Sequence, residues 1–180
     1  MMGTYFGKMT GQTQSPPRVS GKEVFWSWLG SFLGIALVAW LNDGFLSKTD
    51  LLLIIGSFGA SAVLIYGAIK SPLAQPRHLI GGHIISALIG VTAWKALFFA
   101  PWLAAALAVS LSIAVMHLTK TLHPPGGATA LIAVMGGDKI HNLGYLYALM
   151  PVAAGVLILL AVALIVNNIA PARRYPEYWF

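Results

Sequence analysis

Apolar residues in this chain run in long blocks instead of alternating with polar ones. Val24 to Leu41, Leu51 to Ile69, Leu79 to Phe99, Leu103 to Thr119 and Leu146 to Asn167 each approach the ~20 residues that carry a helix across a hydrocarbon core of about 30 Å. A sixth block, Pro125 to Met135, is too short to cross as a plain helix, since at ~1.5 Å per residue it covers only about 17 Å. It is either re-entrant or part of a broken span. An extended lead-in of about four residues from Leu122 would add ~13 Å, and a helix of about ten residues a further ~15 Å, which nearly matches the core. Extended backbone at that depth is tolerated only where protein or a water-filled cavity satisfies its polar groups. The segment is therefore where function is to be sought.

Charge arbitrates between crossing and return. With a cytoplasmic N-terminus and six crossings, Lys8, Arg18, Lys22, Lys70, Arg77, Lys120, Arg173 and Arg174 fall inside, and Lys48, Lys95 and Lys139 outside. A re-entrant sixth block moves Lys139 inside and both arginines outside. The excess of inner positive charge favours six crossings. Trp26 and Trp28 then sit at the inner end of the first span, Trp40 at its outer end, and Trp94, Phe98, Phe99 and Trp102 at one outer turn, as lipid-interface anchors do.

Composition agrees: 58% of residues are hydrophobic and only 9% charged, far from the roughly 25% charged of soluble proteins. The net charge of +6 is spread singly between apolar blocks, as topology signals are, so no nucleic-acid partner is expected. With no cysteine, disulfides, thiol nucleophiles and thiolate metal sites are excluded. Residues 1–21, polar and broken by Ser15-Pro16-Pro17, read as a disordered cytoplasmic tail and not as a cleaved signal. Residues 22–170 read as one transmembrane domain and 171–180 as a C-terminal tail.

Gly59-Ala60-Ser61-Ala62-Val63 recurs as Gly127-Ala128-Thr129-Ala130-Leu131, and each copy follows a helix-breaking stretch, Gly56-Ser57-Phe58 or His123-Pro124-Pro125-Gly126. Each copy looks like a helix N-terminus inside the membrane. With six crossings, each lies in the middle span of a three-span half, so the halves are inverted. The expected fold is an all-α transmembrane bundle of about six segments, two of them discontinuous, whose broken helices aim their N-termini at each other near the midplane. Such N-termini favour an anion. By contrast Gly30 with Gly34, and Gly82, Ser86 and Gly90, have small-xxx-small spacing without a break and read as packing faces.

The run His123-Pro124-Pro125-Gly126-Gly127-Ala128-Thr129-Ala130 resembles the signature of the HPP family of integral membrane proteins. Phe58-Gly59-Ala60-Ser61-Ala62-Val63, continuing through Ser71-Pro72-Leu73-Ala74-Gln75-Pro76-Arg77 to Gly81-Gly82-His83, resembles that family's other block. The resemblance covers residues 22 to 170. It implies an all-helical membrane protein, usually described with four spans, and for some cyanobacterial and plastid relatives a role in nitrite transport.

The expected activity is transport of a small anion, nitrite a candidate, with no cofactor and no metal, in a bacterial inner membrane with the N-terminus cytoplasmic. Its partners are the bilayer, the anionic solute and, from the abundant small-residue faces, further copies of itself. The candidate solute-binding residues are Ser57, Phe58, Gly59, Ala60, Ser61, His123, Pro125, Gly126, Gly127, Ala128 and Thr129. Gly59 and Gly127 would let solute approach the backbone. All five carboxylates, Glu23, Asp43, Asp50, Asp138 and Glu177, fall at segment ends or in loops, which argues against a cation path. His83 and His117 are candidate pathway or gating groups. His123 is held extended by the following proline, and its protonation would strengthen anion entry as pH falls. The rival readings are an intramembrane enzyme with Ser61 as nucleophile and a histidine as base, and a structural or accessory subunit. That Thr129 holds the place of Ser61 in the second copy speaks against the enzyme.

Overall fold

The computed structural model describes residues 2–11, 13–49 and 51–180, which are helical or irregular with no strand among them. Asp50 lies outside the described residues. A short helix, α1 (Met2–Gly7), lies near the N-terminus. The long helices are α2 (Gly21–Leu41), α4 (Pro76–Leu97), α5 (Pro101–Leu118) and α8 (Ala154–Ile169). Wider π-helical turns lengthen α2 through Leu46 and start the last span at Ala148, so that four helices are long and apolar enough to cross a bilayer. Between them lie α3 (Ser57–Ala62), which continues in wide turns through Gly67, then α6 (Pro124–Met135) and α7 (Asp138–His141).

The starts of α2, α4, α5 and α6 precede their apolar blocks, because caps are polar or proline and hydropathy does not register them. Ser20 Oγ accepts from Glu23 N at 3.2 Å and caps α2. Pro76, Pro101 and Pro124 stand in the first turns of α4, α5 and α6, where a fixed φ suits a helix and the missing N–H is not needed. The block Leu51 to Ile69 is no continuous helix. Residues 51–55 are non-helical, and Asn42 Oδ1 accepts from Leu53 N at 2.7 Å, giving this backbone the partner that lipid cannot supply.

Small residues set how closely the helices pack. A Cβ on Gly82 would stand 2.5 Å from His123 Cβ, and one on Gly90 would stand 2.7 Å from Ala133 Cβ. The α4 face of Gly82, Ser86 and Gly90 therefore receives α6, which runs beside α4 in the same direction. Gly30 and Gly34 seat the ring of Tyr66, whose hydroxyl donates to Leu159 O at 2.9 Å and so joins α2 and α8. Both faces pack as their spacing predicts.

The exposed aromatics Trp28, Trp40, Phe98, Phe99 and Trp102 lie on the outside. Trp94 instead stacks on His141, with ring centroids 3.8 Å apart, which brings α7 to the C-terminal end of α4. At the opposite end of α4, Arg77 donates to Thr119 O at 2.8 Å. Buried Arg173 there forms a fork on half-buried Glu23, 2.7 and 3.1 Å, and also donates to Asn167 Oδ1 and Ser27 Oγ. Arg173 thus ties the C-terminal tail to α2 and α8.

Candidate functional site

Leu122 and His123 precede two prolines. His123 takes φ −138° and ψ 105°, the extended geometry that a following proline enforces. Its ring is fully buried. Nδ1 donates to Leu73 O at 2.8 Å, and this fixes the ring, because a carbonyl can only accept. Nε2 lies 3.0 Å from Ser61 Oγ, in the second turn of α3.

The other side of Ser61 Oγ meets His83 Nε2 at 2.7 Å. His83 stands about 10 Å along α4 from Pro76, at ~1.5 Å per residue, and its Nδ1 lies 2.7 Å from Thr129 Oγ1. Thr129 Oγ1 lies in turn 2.8 Å from Ser57 Oγ. Five side chains, Ser57, Ser61, His83, His123 and Thr129, so form one unbranched chain ending on the Leu73 carbonyl, and each is at most 1% exposed. Phe58 packs edge-on to His83, its centroid 5.8 Å away. Tyr147 donates to Thr129 O at 3.1 Å from below.

The two hydroxyl copies behave alike. Ser61 Oγ lies 3.3 Å from Ser57 O, and Thr129 Oγ1 lies 3.3 Å from Pro125 O, each a contact with the carbonyl four residues back. Because Ser57 meets Thr129 while Ser61 meets His123, α3 and α6 pass antiparallel. Their N-termini do not aim at a common point, as the repeat led one to expect. Each first turn lies beside the second turn of the other helix, and side chains close the gap between them.

The remaining candidates stand around this chain. Pro125 and Gly126 are buried against it, and a Cβ on Gly126 would come within 2.8 Å of Gly82 O and Ser86 Oγ. Gly59 and Ala60 face outward and are exposed, while Gly127 and Ala128 are half-buried. A Cβ on Gly127 would meet only Val109, at 3.8 Å. Neither Gly59 nor Gly127 opens onto the hydroxyls, since the same helical turn that turns residues 61 and 129 inward turns these two away. His117 is exposed on α5, apart from the chain.

Sequence reasoning missed Leu73, whose carbonyl anchors the chain, and Tyr147, hidden at the head of an apolar run. It also missed Ser112, buried on α5 without a partner, one turn before the Met116 that receives Ser86. No metal-binding group of three or more His, Asp or Glu exists among the described residues.

A family model described as HPP, transmembrane region, matches residues 16–176. Two proteins of Dictyostelium discoideum, each described as a transmembrane protein, are 50% and 47% identical to this chain over 98% of it. It covers 57% of the first and 63% of the second, so it spans about three fifths of their lengths. No solved structure matches the chain.

Proposed function

This chain belongs to the HPP transmembrane family, and we propose that it carries a small anion, nitrite the first to test, across the bilayer along the seam between α3 and α6. One observation supports this: hydroxyls and imidazoles are withdrawn from solvent where the two short helices pass, and no carboxylate is among their partners. Ionisable groups at membrane depth are costly and mark solute and proton paths. Groups able to donate O–H and N–H, with no fixed negative charge, suit an anion. All six apolar segments cross in this reading, in two inverted halves, with the N-terminus cytoplasmic. The run of α6 alongside α4 as far as the turn where His141 meets Trp94, and the matched back-bonds of Ser61 and Thr129, favour crossing over return.

In this reading the form described is an occluded one, because all five side chains are withdrawn from solvent. Transport requires α3 and α6 to part and their hydroxyls to exchange each other for solute. Reconstituted protein should take up labelled nitrite or nitrate faster than protein-free vesicles, and the Ser61→Ala, Thr129→Val double variant should not. Uptake of both anions at the protein-free rate would remove the proposal.

A second reading is favoured by Ser61 lying between two imidazoles, since a hydroxyl with adjacent base is a nucleophile's environment. Here Ser61 has no exposed surface, and its counterpart is a threonine. We read the chain as no enzyme. Covalent labelling of Ser61 by a fluorophosphonate probe would reverse that choice.

A further inference from the structure

We infer that residues 176–180 are a strap that closes the inner mouth of the seam between α3 and α6, and that solute exchanges with the cytoplasmic side only when this strap lifts; the inference rests on the transport reading above. It follows from what holds His123 at the end of the bundle where α4 starts. Two backbone segments flank its ring there: the turn Pro72–Ala74, which supplies Leu73 O, and the extended lead-in that ends in Leu122 and His123. Leu73 is half-buried, whereas the ring it holds is fully buried, so parting these two segments uncovers the ring.

Two tethers hold the segments together. One is direct, the 2.8 Å bond from His123 Nδ1 to Leu73 O. The other runs outside it through the strap. Tyr178 Oη lies 3.3 Å from Pro72 O and 3.3 Å from His78 Nε2, and His78 Nδ1 donates to Leu122 O at 2.9 Å, since a carbonyl can only accept. Pro72 adjoins Leu73 and Leu122 adjoins His123, so these contacts close a ring, and the inner tether cannot stretch far while the outer one is intact. Glu177 N adds a third hold, donating to Gln75 Oε1 at 2.9 Å. Gln75 in turn donates to Ile69 O and Ser71 O, which fixes the far side of the same turn.

The strap has a fastened root and a loosely held end. At the root Arg173 is bonded to Glu23 and Asn167. Tyr175 is buried and donates to Ala74 O at 2.7 Å, while Asn168 bonds both its N–H and its carbonyl. Beyond Tyr175 the hold falls away. Tyr178, Trp179 and Phe180 are exposed, and both 3.3 Å contacts of the Tyr178 hydroxyl are long for an O–H donor, whose usual distance is about 2.7–2.8 Å. Segments with few buried contacts and exposed hydrogen bonds open locally at the lowest cost, and lids are drawn from them. Lifting residues 176–180 breaks the outer tether without disturbing the root or any bond within a helix, and leaves the bond between His123 and Leu73 to part next.

Because the chain has no cysteine, a full-length Tyr178→Cys, His78→Cys variant can be joined at those two positions alone by a reducible bis-thiosulfonate cross-linker. In liposomes, with labelled nitrite and nitrate as probes and protein-free vesicles subtracted, the cross-linked protein should carry neither anion. Reductant should restore uptake to the parent rate or above it. Deletion of residues 176–180 keeps the root and removes the strap. Uptake by that variant should rise at least roughly fivefold, since one hydrogen bond is worth about that factor in an open–closed equilibrium, while its melting temperature stays close to the parent's. A strap that merely stabilised the fold would give the opposite sign: uptake that falls or holds level on deletion overturns the inference. Uptake by the cross-linked protein at the rate of the reduced one overturns it too and leaves the transport reading standing. No protein-mediated uptake by the parent or by either variant removes both.

Discussion

Substituting Gly82 with alanine tests whether close packing of α4 on α6 is what aligns the buried chain. The added Cβ would stand 2.5 Å from His123 Cβ and 2.9 Å from Thr121 O, where carbon contacts prefer about 3.5–4.0 Å. Neither neighbour is the far end of a flexible side chain, so relief must come from parting the two helices by about 1 Å. A shift of that size would stretch the 3.0 Å Ser61–His123 contact beyond hydrogen-bonding range. Overpacking of this kind costs about 1–3 kcal/mol, and an unmade buried hydrogen bond about 1–3 kcal/mol more. At ~2–4 °C per kcal/mol for a chain of this length, Gly82→Ala should melt about 4–24 °C below the parent in the same detergent. Gly59→Ala is the internal control: its Cβ meets nothing within 4 Å, and alanine is the better helix former by about 1 kcal/mol, so its melting temperature should stay level or rise. Scanning fluorimetry of the three proteins on one plate decides the matter. If Gly82→Ala melts with Gly59→Ala, the contact between α4 and α6 does not constrain the site, and the argument built on it fails.

Two further outcomes follow. Arg173→Ala should destabilise the protein by about 1–3 kcal/mol, since it takes the donor from buried Asn167 Oδ1 and from half-buried Glu23; an Arg173→Ala, Glu23→Ala double variant should recover part of the loss, and full additivity of the two single changes in a double-mutant cycle would show that the pair is not coupled. Because the chain has no cysteine, single cysteines at Lys22, Lys48, Lys139 and Arg174 can be labelled without background. Impermeant reagent added to whole cells should reach positions 48 and 139 only, whereas labelling at 174 with protection at 139 would make residues 124–135 re-entrant.

Several features of the fold and site follow from local rules legible in the chain itself. Uninterrupted apolar blocks can be stable only in lipid, and the prolines after His123 exclude it from a helix whatever surrounds it. Small residues at Gly82, Ser86 and Gly90 signal close approach because a larger side chain could not fit between two helices. Tertiary structure alone decided what those faces approach and which way each polar group points. Two positions far apart in the chain, His83 and His123, meet at Ser61, and the Leu73 carbonyl holds His123 in place, because α3 passes antiparallel to α6 where α6 packs on α4, a relation that no local pattern encodes. The same crossing explains why the glycines of the repeat face away while its hydroxyls meet: a helix turns about 100° per residue, so neighbours in the sequence look in different directions, and only the packing selects which of them becomes the inside.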